Sequence, residues 1–263
     1  FNYLRIAINE RCNLRCIYCM PEEGILFQEK DRLLDKNEIC KIIKVMSELG
    51  VSKIRFTGGE PLLRKDLLDL IQYTYQQTDI SSIHLTTNGV LLSKHINHLE
   101  KAGLNGINIS LDTLHREKFK KITRREELEN VLEGLDLAIC SGIKSIKVNM
   151  VVMKGFNNDE ITDFVELTKN NDITVRFIEL MPFDSHQIWK TGKFYRADHI
   201  VNDLRSHYRT LSPVAGSSTE YYIFKIKEYA GRVAVIPSYT RSLCSACNRI
   251  RVTADGNLLN CLY

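Results

Sequence analysis

The chain lacks the features that would take it out of water or out of a reducing compartment. In 263 residues it has one Trp, five Pro and no run of about 18 apolar residues, which excludes a membrane-spanning helix. No charged-then-apolar segment opens the chain, so no export signal is read, and because it begins at Phe1 rather than Met a trimmed leader is expected. Repeats, low-complexity tracts and long linkers are missing. With 44% hydrophobic and 26% charged residues, the composition is that of an ordinary globular protein, one large domain or a domain with an appendage. A net charge of +4 falls short of the dense basic patches that would make nucleic acid the default partner.

What it has is clustered cysteine. Six of its eight cysteines form two triplets, Cys12/Cys16/Cys19 and Cys244/Cys247/Cys261, while Cys40 and Cys140 stand alone in helical patterns. Tight triplets without an export signal read as metal ligation in a reducing compartment rather than as a disulfide framework. Cys40 and Cys140 read as small hydrophobes packed in the core. The cytoplasm is the expected location, or the mitochondrial matrix in a eukaryote.

From residue 4 to about 181 short alternating stretches are followed, six times, by amphipathic ones. The strands read as 4–9, 52–57, 83–88, 106–112, 145–152 and 173–180. Asp35 caps a helix running to Leu49 with Gly50 ending it, and further helices are read at 64–77, 93–102, 126–141 and 159–170. Strand-helix alternation implies a parallel sheet. Its strands should then be apolar on both faces, yet these alternate. Leu4/Ile6/Ile8 or Ile107/Ile109/Leu111 fall on one face; Arg5, Lys53/Arg55/Thr57, His84/Thr86/Asn88, Asn108/Ser110/Asp112, Lys147/Asn149 and Arg176 fall on the other.

If the apolar faces meet the helices, the polar faces line the concave inside. A closed eight-stranded barrel is filled there with Val, Ile and Leu. Six strands with a polar lumen therefore predict an α/β fold, an open, partial (β/α)6 TIM-like barrel around a ligand. Five cations against Asp112 predict that the ligand is anionic. An antiparallel sheet wet on one side is the alternative, and the intervening helices speak against it. After residue 182 the texture changes: residues 217–238 read as a hairpin, and "RIRVTADGNLLNC" as another turning at Asp255-Gly256. We expect a barrel over 1–181 and an α+β extension over 182–263 packed on it.

An iron-sulfur cube takes four ligands, one per iron. A triplet supplies three, which leaves one iron open to something other than a side chain, as catalytic zinc keeps a free position. A zinc knuckle completed by a histidine is the structural alternative, but the first histidine in the chain is His84. The spacing Cys12-x3-Cys16-x2-Cys19, with Tyr18 before the last cysteine, resembles the radical S-adenosylmethionine (SAM) superfamily, and "GGEPLL" at Gly58 to Leu63 stands where that family has its glycine motif. The closing set, Cys244-x2-Cys247-x13-Cys261 with "NRIRVTADG" between, resembles the molybdenum-cofactor biosynthesis protein A family, the GTP 3',8-cyclases, as do "LTTNGVLL", "ISLDTL", "KVNMVVMKGFN" and "RFIELMPF".

The resemblance implies two [4Fe-4S] clusters, on Cys12, Cys16 and Cys19 and on Cys244, Cys247 and Cys261, with SAM on the first and GTP on the second. It implies that SAM meets Tyr18, Gly59, Glu60, Ser110, Asn149 and Met181, with Glu60 facing the methionine amino group. It implies that GTP meets Arg5, Arg55, Thr86, Lys147, Arg249 and Arg251, with Arg176 close by, and that Arg249 and Arg251 also act in catalysis. The implied product is (8S)-3',8-cyclo-7,8-dihydroguanosine 5'-triphosphate. An electron donor of flavodoxin or ferredoxin type, cyclic pyranopterin monophosphate synthase downstream, and a homodimer complete the implied partners. Members of that family continue past the last cysteine into a Gly-Gly tail, which a chain ending at Tyr263 is expected to lack. Two alternatives stay open: a peptide-modifying radical SAM enzyme with an auxiliary cluster, and a zinc-dependent RNA-binding module.

Overall fold

Six strand-helix units carry the chain around one sheet. They comprise β1 (Tyr3–Ala7), α1 (Lys36–Glu48), β2 (Lys53–Thr57), α2 (Leu67–Gln77), β3 (Ser82–Thr87), α3 (Leu92–Lys101), β4 (Gly106–Ser110), α4 (Arg116–Thr123), α5 (Leu128–Cys140), β5 (Ser145–Val152), α6 (Ile161–Glu166) and β6 (Thr174–Glu179). Then follow α7 (Ala197–His207), β7 (Leu211–Pro213), β8 (Tyr222–Ile226), β9 (Arg232–Ile236), β10 (Arg249–Val252) and β11 (Leu258–Leu259). The structure, a computed structural model, describes residues 1–21, 24–181, 192–214, 222–240 and 247–260.

The strands lie within one or two residues of the expected ones, because alternation with period two is unambiguous in all six. α1 shows its cap directly: Asp35 accepts from the Glu38 N–H at 2.8 Å, Glu38 accepts from the Asp35 N–H at 2.8 Å, and Gly50 ends the helix at φ +85°. α6 is shorter than read. The carbonyls of Thr168 and Lys169 accept from Gly231 and Ala230, so the chain there turns to meet β9 instead of continuing as helix. α4 was not expected: "REKFKKIT" buries only Phe119, Ile122 and Thr123, too few for a periodic signal.

The sheet order is β11-β10-β1-β2-β3-β4-β5-β6-β9-β8-β7. β10 runs parallel to β1 and β9 parallel to β6. Both expected hairpins are present, β8-β9 and β10-β11. They do more than pack on the barrel, since each adds a parallel strand to one of its two edges. The result is an open, partial TIM-like barrel. Its apolar strand faces meet the helices in one core, in which Leu4, Ile6, Phe56 and Phe177 are fully buried. Cys40 packs partly buried against that core, whereas Cys140, at the last position of α5, is exposed and corrects the expectation of burial. No helix among the described residues is long and apolar enough to cross a membrane.

Candidate active site

The first cysteine triplet occupies the loop leaving the carboxyl end of β1, where barrels place their chemistry. Three elements hold that loop. The end of α4 accepts two of its N–H groups, Arg15 N–H to Thr123 O at 2.9 Å and Ile17 N–H to Ile122 O at 2.9 Å. Arg124, a non-glycine residue at φ +56°, donates to the carbonyls of Arg15 at 2.8 Å and Met20 at 3.0 Å. Below, the Tyr18 hydroxyl donates to Asp112 Oδ2 at 2.5 Å, while Asp112 Oδ1 accepts from the Val151 N–H at 2.8 Å. Burial pushes Asp112 up to about 6, against the opposing pull of those two hydrogen bonds.

The three thiols of this loop are the candidate cluster ligands. Cys12 Sγ accepts from the Leu14 N–H at 3.4 Å, and Asn88 Nδ2 lies 3.7 Å from it. The thiols of Cys16 and Cys19 interact, and that contact together with burial holds the Cys16 thiol well above its ordinary range. Among the described residues no three His, Cys, Asp or Glu side chains could hold a single metal ion. A cube is different, because each thiolate binds its own iron and the three need not converge on a point. Three free cysteines in one loop, with a backbone N–H and an amide on one sulfur, fit such a group.

The glycine motif is packed closely on protein backbone on one side. A Cβ on Gly59 would lie 2.3 Å from Arg11 O and 2.5 Å from Glu10 O. Gly59 N–H donates to Asn9 O at 2.7 Å and Glu60 N–H to Arg11 O at 2.7 Å. The motif is thus laid backbone to backbone on the segment entering Cys12. Glu60 departs from expectation. Its carboxylate is fully buried and accepts from the Leu62 N–H at 3.0 Å, the Thr87 hydroxyl at 2.7 Å and the Asn88 N–H at 2.7 Å. Burial raises it to about 7, with those bonds opposing. Its side chain ties the motif to the end of β3.

Strand register gathers the predicted cations into two walls. Arg251, Arg5 and Arg55 lie side by side across β10, β1 and β2, with Arg249 beside Tyr3 one step below. The Tyr3 ring sits under Arg5 at 5.3 Å, Lys53 at 5.1 Å and Arg55 at 5.5 Å, a cation–π base for this wall. On the other wall Lys147 stands beside Asn108 and Thr174, and Arg176 beside Asn149, whose Oδ1 accepts from Arg176 Nε at 2.7 Å. Thr86, Ser110 and Met181 are half-buried. Lys147 is pushed down to about 7 by burial and by Arg176, Lys53, Arg55 and Arg232.

Of the second triplet, Cys247 is described and exposed, just ahead of β10; Cys244 and Cys261 lie outside the described residues. Sequence reasoning missed Asp112 and Arg124 as supports of the first loop. Asp112 stood inside the quoted "ISLDTL", but its bond to Tyr18 joins residues 94 apart.

A family model described as the radical SAM superfamily matches residues 6–168, and one described as Molybdenum Cofactor Synthesis C matches residues 173–263. The chain is 45% identical over 262 residues to a GTP 3',8-cyclase of Chlorobaculum tepidum, covering 100% of this chain and 78% of that protein. It is 44% identical over 265 residues to molybdenum cofactor biosynthesis protein 1 of Dictyostelium discoideum, covering 99% of this chain and 42% of that one. Among solved structures, Streptococcus suis SuiB superposes with TM-score 0.68 at 16% identity, covering 99% of this chain and 60% of that one. Coproporphyrinogen III oxidase (HemN) from Escherichia coli does so with TM-score 0.56 at 15% identity, covering 80% of this chain and 53% of that one. At those identities the likeness shows the fold alone.

Proposed function

We propose, from the fact that this chain belongs to the radical SAM superfamily and within it to the GTP 3',8-cyclases, that it converts GTP to (8S)-3',8-cyclo-7,8-dihydroguanosine 5'-triphosphate in molybdenum cofactor biosynthesis. The observation that carries this reading is the pair of cationic walls, Arg251/Arg5/Arg55 and Lys147/Arg176, enclosed by one sheet beneath a three-cysteine loop. Arginine forks suit phosphate oxygens, and lysine adds a point charge.

In this reading Cys12, Cys16 and Cys19 hold a [4Fe-4S] cluster, and SAM meets Tyr18, Gly59, Glu60, Ser110, Asn149 and Met181. When bound, cluster and SAM supply a reducing electron and a primary carbon radical able to remove hydrogen from an unactivated C–H bond. The protein's share is placement and the exclusion of water. Arg5, Arg55, Thr86, Lys147, Arg176, Arg249 and Arg251 hold GTP, with Arg249 and Arg251 also acting in quenching the substrate radical. Residues 182–263 form the extension, and Cys244, Cys247 and Cys261 hold a second cluster. A flavodoxin- or ferredoxin-type donor, a cyclic pyranopterin monophosphate synthase taking the product, a homodimer and a cytoplasmic or matrix location belong to the same reading.

Anaerobic incubation with reductant, SAM and GTP should yield 5'-deoxyadenosine only when GTP is present. Equal yield with ATP or without nucleotide, or zinc in place of iron, would sink it. A second expectation concerns pH. A phosphate beside Lys147 restores its proton, so binding is coupled to proton uptake above pH 7. Affinity for GTP should therefore be flat below about pH 7 and fall above it, by up to about tenfold per pH unit. Lys147→Arg, which keeps its charge, should flatten the profile; a profile unchanged by that substitution assigns the titration elsewhere.

A further inference from the structure

Among the described residues, His84 and Asn108 are uncharged lumen side chains that each end on a buried polar atom without a hydrogen-bond partner. His84 on β3 is 5% exposed and Asn108 on β4 is 1% exposed. The imidazole Nε2 lies 2.8 Å from Ser82 Oγ, and Asn108 Nδ2 donates to Thr86 Oγ1 at 3.3 Å. The other polar atom of each, His84 Nδ1 and Asn108 Oδ1, is buried with no hydrogen-bond partner among the described residues. Native proteins seldom leave a buried polar atom unpaired, because it forfeits its hydration for nothing.

Their positions are diagonal neighbours in the lattice of the sheet. His84 stands between Arg55 on β2 and Gly106 on β4; Asn108 stands between Thr86 on β3 and Lys147 on β5. Gly106 makes the room: a Cβ there would meet His84 Nδ1 at 2.5 Å and Cε1 at 2.7 Å. The surrounding charge orients both dipoles. Lys53, Arg55, Lys147 and Arg176 all act on His84, and together with burial they keep its ring neutral. A neutral imidazole among four cations is most stable with its bare nitrogen toward them and its N–H toward the Ser82 oxygen. The same field favours the Asn108 oxygen facing inward and its NH2 on Thr86. Both groups thus carry acceptors among the lumen's cations.

Acceptors cannot hold phosphate. They need an O–H or N–H from the ligand, and in a nucleotide the donors joined most closely to the phosphates are the ribose hydroxyls. There are two hydroxyls and two acceptors. We propose that His84 Nδ1 and Asn108 Oδ1 accept hydrogen bonds from the ribose hydroxyls of the bound nucleotide, which makes this lumen select ribonucleotides over deoxyribonucleotides. The inference rests on the GTP reading given above and adds two residues and a discrimination to it.

The test is equilibrium binding to the anaerobically reconstituted full chain, without turnover, of GTP, GDP, 2'-deoxy-GTP and 3'-deoxy-GTP. The wild type should prefer GTP to each deoxy analogue by about tenfold, the effect of stranding one buried acceptor. His84→Phe and Asn108→Leu should each bring the preference against one analogue close to unity while leaving the GTP to GDP ratio unchanged. His84→Asn, whose amide reaches the level of Nδ1, should keep the preference. Melting curves identify which variants are folded. Folded His84→Phe and Asn108→Leu proteins that discriminate like the wild type overturn the proposal, as does a loss confined to the GTP to GDP ratio. Should neither variant fold, equal binding of GTP and both deoxy analogues by the wild type overturns it as well. A wild type that binds none of the four nucleotides removes the GTP reading itself, and this inference with it.

Discussion

Gly59→Ala should cost the protein the iron of its first cysteine set, about four atoms per chain for one cube. The added methyl meets three backbone atoms, Arg11 O at 2.3 Å, Glu10 O at 2.5 Å and Arg11 C at 2.6 Å, none of which can rotate away as a side-chain tip could. Relief requires the two backbones to part, and that breaks the bonds from Gly59 N–H to Asn9 O and from Glu60 N–H to Arg11 O, each 2.7 Å. Arg11 is the residue before Cys12, so the displacement is delivered directly to a proposed cluster ligand. Iron analysis after anaerobic purification is the readout, accompanied by a melting temperature lower by about 5–10 °C. A Gly59→Ala protein with its full iron complement and an unshifted melt would show that the glycine is not needed for this packing.

Asp112→Ala should be nearly as damaging, and Asp112→Asn should not. Removing the carboxylate strands the Tyr18 hydroxyl, which donates to it at 2.5 Å, and the Val151 N–H, which donates to it at 2.8 Å, and leaves a cavity beneath the cysteine loop. Two buried donors without acceptors cost about 2–4 kcal/mol together, which corresponds to a fall of about 5–15 °C in melting temperature for a chain of this size. The asparagine variant keeps one oxygen for Val151, and the phenol can turn to accept from the new NH2, so its melt should stay within a few degrees. Iron loading should follow the same order. Equal melts for the two variants would mean that the Tyr18–Asp112 contact carries little of the loop's stability.

The contrast between these residues shows which parts of the site could be read early. Cys12, Cys16 and Cys19 stand out as candidate ligands because ligation needs one residue type at short spacing, and the lumen cations are legible because a strand alternates with period two. Asp112 gives no such signal: an acid ending a strand is ordinary until Tyr18 is found above it. Glu60 was given a ligand to face, whereas it faces Leu62, Thr87 and Asn88 in a fully buried position. Gly59 likewise lies against protein backbone, the carbonyls of Glu10 and Arg11. Short motifs tell which residues gather at a place, but not which way each one turns once several backbones compete for the same space.

Local pattern was enough to determine the six barrel strands, the capped α1 and the polar inner face, since each depends on residues a few positions apart. The pairing of β9 and β10 with opposite edges of the barrel, the tie from α4 and Arg124 to the cysteine loop, and the two unpartnered acceptors on His84 and Asn108 were decided only by the tertiary structure. Each of these is a relation between segments distant along the chain. Such relations follow from which surfaces close on one another, and no spacing within a single segment records that.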